Sequence, residues 1–226
     1  SAELQMAYAL PVGGQVTSGA GTIAQSGQTT TIHQSTQNLS FNWKSFNVGT
    51  NETVTFVQPS ATAIAVNKIF DINGSQILGN LNANGQVFLI NPNGVIFGAG
   101  AQVNVGGLVA STLDIASSTG STTKFAGTGI GNGKVINLGK ITAANSGYVA
   151  LLGHHVSNQG VISAQLGTVA LGAGTAITLS FNGSNLVRMV VDQSVLNTLV
   201  ENGGLIQSDG GKVLMTAGAA KSLLAS

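Results

Sequence analysis

Chemistry by side chains needs acids, bases, nucleophiles or metal ligands held close together, and this 226-residue chain has few of them. Its seven carboxylates, Glu3, Glu52, Asp71, Asp114, Asp192, Glu201 and Asp209, are dispersed along the sequence. A lyase or glycosidase needs two such groups together for acid and base work, or a cluster of them around calcium. The dispersal therefore argues against an enzyme. His154-His155 is the only histidine pair. Neighbours on a strand point to opposite faces, which makes a poor chelate, so a polar corner is the preferred reading. Cysteine is absent, which removes disulfides and every thiolate site. No nucleophile elbow, dinucleotide fingerprint or phosphate loop occurs. We expect no catalytic residue, no metal and no cofactor.

What the chain offers instead is turn chemistry. Two short apolar runs, Val87 to Ile90 and Val95 to Phe97, are joined by Asn91-Pro92-Asn93-Gly94, and a third alternating run, Val103 to Val105, follows a Gly-Ala-Gly spacer. Pro92 sets φ for the second position of a turn, Asn93 tolerates a left-handed backbone, and Gly94 supplies positive φ without steric cost. From spacing alone, this is a well-made turn between two strands.

Only 7% of residues are charged, Gly reaches 32, and the net charge is +1. The eight Lys and Arg are scattered singly, so no basic stripe exists to follow a phosphate backbone and nucleic acid is not an expected partner. No run approaches the roughly 18 consecutive apolar residues of a membrane-spanning helix. Near the start, Ala7-Tyr8-Ala9 has the small-x-small form of a signal-peptidase site. Residues 1–9 are accordingly read as a signal-peptide remnant or an expression scar, and residues 10–226 as one domain.

The elements that must position the turn are short strands. Gly13 to Ser40, rich in Gly, Thr, Ser and Gln, reads as partly polar strands forming a cap. Trp43 and Phe46 read as cap or core packing, because large aromatics bury most of their area. Thr53 to Phe56 alternates like a half-buried strand. Ala116 to Gly133 reads as a loop or irregular excursion. Beyond it Gly139-Lys-Ile-Thr-Ala, Gly160-Val-Ile-Ser-Ala and Gly204-Leu-Ile-Gln-Ser repeat one unit, each followed by Gly147-Tyr-Val-Ala-Leu, Gly167-Thr-Val-Ala-Leu or Gly211-Lys-Val-Leu-Met. Strand-and-turn repeats of about 20 residues indicate a solenoid. In a parallel β-helix, successive coils stack about 4.8 Å apart, where like charges would repel and Gly and Asn suit the corners. The sparse charge fits that stack, with roughly eight to ten coils of about 20 residues expected after allowing for cap and excursions. One segment breaks the pattern: from Asp192 to Gly203, Val195, Leu196, Leu199 and Val200 share a helical face, predicting a short inserted helix. With no capping unit before Ser226, the natural chain is expected to continue.

Three blocks in order, Trp43-Lys-Ser-Phe-Asn-Val-Gly, Gly85 to Thr112 around Asn91-Pro92-Asn93-Gly94-Val95, and Val190 to Ala217, resemble the N-terminal secretion (TPS) domain of two-partner-secreted exoproteins. These form the filamentous haemagglutinin and high-molecular-weight adhesin family. The family carries two short signatures, NPNL and NPNGI; the chain matches the second with Val95 for Ile and lacks the first, which places it nearer the high-molecular-weight adhesin branch. The resemblance implies an all-β, right-handed parallel β-helix with an N-terminal cap and extra-helical β elements. It also implies export through the Gram-negative periplasm to the cell surface or medium, as a monomer recognised by the POTRA modules of a partner outer-membrane TpsB-type transporter, and a role in seeding passenger folding. Asn91, Pro92, Asn93, Gly94 and Val95 are then the secretion motif, a turn that fixes strand register early. Contacts with host surfaces would lie in downstream regions. The alternative is a β-helix that itself binds host glycan or receptor through exposed Thr, Asn and Gln ladders, although Tyr148 is the one aromatic platform in view.

Overall fold

The computed structural model describes residues 10–127, 133–195 and 197–217. Residues 1–9, with the candidate cleavage site, lie outside it. Among the described residues all regular structure is β-strand, most of it arranged in three parallel ladders. The first ladder stacks Thr29–Gln34, Thr53–Val57, Asn80–Ala83, the first halves of Gln102–Ser111 and Lys140–Gly153, then Val161–Ser163 and Leu205–Gln207. The second stacks Asn38–Trp43, Ile64–Ile69, Gln86–Ile90, the second halves of the two long strands, Thr168–Ala173 and Lys212–Ala217. The third holds Ser75–Ile77, Val95–Phe97, Val135–Asn137, His155–Asn158 and Leu199–Asn202. From Thr53 to Asn202 the chain visits the ladders in turn, so each circuit adds a rung to each.

The sequence repeat is the stacking register. Lys140, Val161 and Leu205 are consecutive partners in the first ladder, and Tyr148, Thr168 and Lys212 in the second. The repeat glycines follow from that contact: a Cβ on Gly160 would fall onto the carbonyl oxygen of Gly139, and one on Gly204 onto that of Gly160. The first two ladders have seven rungs each among the described residues, below the eight to ten expected, because the circuits run longer than 20 residues: the register partners Thr29, Thr53 and Asn80 lie 24 and 27 residues apart.

Two excursions form a separate antiparallel sheet of Asp114–Thr119, Thr122–Ala126, Ala176–Asn182 and Asn185–Gln193. Residues 116–126, read from sequence as loop, are thus mostly hairpin, while 128–132 lie outside the described residues. The helix expected from Asp192 to Gly203 is not formed. Asp192 and Gln193 end the last strand of the antiparallel sheet, and Leu199–Asn202 pairs in parallel with His155–Asn158; Leu196 lies outside the described residues. An open ladder edge offers backbone hydrogen bonds and a core position for Val200, and this tertiary gain overrides a weak helical preference.

Two cores result. Inside the stack lie Leu81, Val103, Ile141 and Ile162 of the first ladder, Leu89, Leu108 and Leu151 of the second, and Phe97, Val135 and Val156 of the third. Outside the second ladder, the antiparallel sheet covers Phe88, Val109, Tyr148 and Ala150 with Phe125, Ile177, Leu179 and Phe181. Gln86–Ile90 is therefore buried at all five positions, which is why its apolar run does not alternate. At the other end, Gly21–Ser26 and Gln15–Ser18 pair antiparallel with the first rungs of the first and second ladders and close them. Trp43 lies buried beneath, its indole Nε1–H donating to Asn67 Oδ1 at 2.9 Å and its ring 5.2 Å from Phe41 and 5.4 Å, edge-on, from buried Phe46.

Candidate functional site

The turn Asn91-Pro92-Asn93-Gly94 carries the chain from the second ladder to the third. Its first residue is an internal fastener. The Asn91 carboxamide is fully buried; its Nδ2 donates to the Asn73 carbonyl at 3.2 Å and to Ser75 Oγ at 3.1 Å in the preceding coil. Its Oδ1 accepts the Asn93 N–H at 3.0 Å, an Asx turn, and its carbonyl accepts the Gly94 N–H at 3.0 Å. The Asn91 N–H donates to the Ser111 carbonyl and the Val95 N–H to the Lys134 carbonyl, both at 3.0 Å and both in the following coil. One tetrapeptide thereby joins three successive coils. Gly94 has φ +122°, and a Cβ there would meet the Lys134 carbonyl oxygen at 3.1 Å. Val95 is buried in the inner core.

Pro92 and Asn93 face outward. Asn93 Nδ2 donates to the Asp71 carbonyl at 2.6 Å, and the Asn73 N–H donates to Asp71 Oδ1 at 3.0 Å, so the loop of the preceding coil is held against the turn. That loop presents Phe70 and Ile72 at 68% and 90% exposure. Sequence reasoning missed this pair, because nothing in Ile69-Phe70-Asp71-Ile72 distinguishes an apolar residue at a loop tip from one in a strand.

The other chemistry-bearing residues are kept apart. Glu52 is buried and accepts the Gly49 N–H at 2.7 Å, Asp114 pairs with Lys68 at 3.2 Å, and His155 Nε2 lies 3.0 Å from Glu201 Oε1. Among the described residues, no three His, Asp or Glu side chains converge as metal ligands would. Tyr148 is fully buried and donates its hydroxyl to Gln86 Oε1 at 2.6 Å, and burial pushes its phenol well above the usual range. It cannot be the exposed platform considered from sequence. A second feature invisible in the sequence is an asparagine ladder at the corner between the third and first ladders. Asn137 Nδ2 donates to Asn158 Oδ1, and Asn158 Nδ2 to Asn202 Oδ1, each at 2.9 Å.

Stacked parallel strands, a closed first rung and a turn that stitches three coils define an all-β domain of stacked coils. The chain belongs to the TPS secretion domain family, which it matches over residues 7–226. The crystal structure of the HMW1 secretion domain from Haemophilus influenzae is similar at a TM-score of 0.84 and 35% identity, covering 92% of this chain and 56% of that one. The heme/hemopexin-binding protein of Haemophilus influenzae (strain ATCC 51907 / DSM 11121 / KW20 / Rd) is 37% identical over 209 residues, 88% of this chain and 23% of that protein. A second heme/hemopexin-binding protein from Haemophilus influenzae is 48% identical over 85 residues, 38% of this chain and 9% of that protein. The chain thus spans less than a quarter of the length of these curated relatives.

Proposed function

We propose that this chain is the secretion-targeting domain of a larger exoprotein, recognised in the periplasm by the POTRA modules of a TpsB-type outer-membrane transporter. The family match over residues 7–226 carries this reading. In the same reading residues 1–9 are removed or extraneous, residues 10–226 act as one non-catalytic domain, and the three ladders wind as a right-handed parallel β-helix that seeds the folding of the passenger. Parallel strands joined by crossovers favour that hand.

A strand-rich, sparsely charged chain can add to an exposed sheet edge, where main-chain hydrogen bonds provide affinity and alternate side chains provide selectivity. Asn91 to Val95 acts by fixing the register of three coils, and Asn93 by holding Phe70 and Ile72 outward as apolar anchors for the transporter. The test is transporter-dependent export of the 226-residue chain from a bacterial host carrying or lacking the cognate transporter. Asn93→Ala and Phe70→Ser are expected to reduce export several-fold while the protein stays folded and soluble. Export that does not depend on the transporter would remove the targeting function; normal export of both variants would remove only the role given to this corner.

A further inference from the structure

The outer face of the first ladder carries a straight array of polar side chains. Thr31, Thr55, Asn82, Asn104, Thr142 and Ser163 are register partners from rung to rung. At parallel-strand spacing they recur about every 4.8 Å. In the middle of the array the surface is concave. Two recesses of about 500 Å³ and 280 Å³ share Ala83, Asn84 and Asn104, and together form one trough from Thr55 to Ala144. Its apolar lining is mostly aliphatic, Val57, Ala83, Val105, Ala143 and Ala144 beside Phe56, and no lining residue is charged.

Most of the polar side chains along this trough have no hydrogen-bond partner among the described residues. Thr55, Asn82, Asn104 and Thr142 make no side-chain hydrogen bond among the described residues, although Asn82 and Asn104 are adjacent on the ladder. Asn137, Asn158 and Asn202, by contrast, bond to one another along their corner. Asn84, at the trough edge, is fixed by two 2.8 Å bonds to the Gln58 backbone. Asn84 is thus held in place, and the free groups sit in a row along the ladder.

We propose that this trough is a binding site for a neutral oligosaccharide. Its side-chain amides and hydroxyls both donate and accept, as a sugar's hydroxyls require, and the apolar lining suits sugar C–H faces. With no charge in the lining, nothing favours a sialylated, sulfated or phosphorylated ligand. A peptide is disfavoured because the strands here spend their backbone groups in the parallel ladder, leaving no edge for β-pairing.

The 15N-labelled 226-residue chain would be titrated with maltohexaose, cellohexaose and lacto-N-tetraose, alongside sialyllactose, a heparin hexasaccharide and an uncharged Ser/Thr/Asn peptide. At least one neutral oligosaccharide is expected to shift the side-chain amide resonances of Asn82 and Asn104. The double variant Asn82→Ala/Asn104→Ala, and separately Thr142→Val, should weaken binding about tenfold with an unchanged melting temperature, the effect of losing one or two hydrogen bonds. Gln25→Ala on the cap should bind as the wild type. The proposal is overturned if no neutral oligosaccharide moves those amides, if only the charged glycans or the peptide do, or if folded trough variants bind unchanged.

Discussion

Asn91 and Asn93 stand two residues apart in one turn and serve different ends. Asn91 donates two hydrogen bonds and accepts one from a buried position, while Asn93 makes one exposed bond to a backbone carbonyl. Leaving buried polar groups unpaired is costlier than losing a solvated bond, so Asn91→Ala should cost about 2–4 kcal/mol and Asn93→Ala about 0.5–1.5 kcal/mol. Urea unfolding of the two variants checks this; equal losses would contradict the division. The turn itself was legible, because Pro, Asn and Gly have turn chemistry wherever they occur. Which asparagine is buried was not, since that depends on Asn73 and Ser75 in another coil.

Tyr148 gives the residue scale its pH dependence. Burial raises its folded-state pKa above the unfolded value of about 10. Its protonated form is thus favoured by folding, and the stability tied to it is fully present below about pH 10 and lost as pH rises through the folded-state value. Phenolate absorbance from Tyr148 should appear only as the protein unfolds, and Tyr148→Phe should shallow the alkaline fall in stability. The same variant leaves Gln86 Oε1 without its donor and should cost about 1–2 kcal/mol at neutral pH.

At the scale of elements, the stacked coils were readable and the antiparallel sheet was not. A coil's neighbour in space is its neighbour in the repeat, so Gly139, Gly160 and Gly204 announce their own register. The hairpin Asp114–Ala126 instead meets Ala176–Asn182 across intervening coils, and its polar, exposed first strand has no periodicity to betray it. The misread helix is the same lesson in reverse: Val195, Leu199 and Val200 satisfy a helical wheel locally, while the open edge of His155–Asn158 decides the outcome. Because the antiparallel sheet is docked through its own core, Leu179→Ala should cost about 2–5 kcal/mol. Hydrogen exchange should show Asp114–Thr119 losing protection well before Val161–Ser163, which stays within the stack. Uniform loss of protection would mean that sheet and stack unfold as one unit.

On the scale of the whole molecule, the family and the parallel coils could be read from sequence because low charge, repeat glycines and a turn motif are all local signals. The second core could not, because it exists only when two excursions far apart in the chain meet. The antiparallel sheet then decides where the chain can be cut. A chain ending after Ala173 lacks both strands that complete the cover over Phe88, Val109 and Tyr148. It should bind a hydrophobic dye strongly and aggregate, whereas a chain ending after Gln193 should do so far less; equal dye binding by the two would refute the role of the sheet as a cover.

That cover also sets a timetable. A chain delivered amino end first completes rung after rung from local neighbours, and the hairpin Asp114–Ala126 is present by the fourth rung. It then waits for Ala176–Gln193, two rungs later, before its sheet can close. During that interval one side of the stack is finished and the other is sticky, so a chain delivered in this way passes through a stage at which arrest would be most damaging. The hazard ends at a definite point in the sequence, when Gln193 has been delivered.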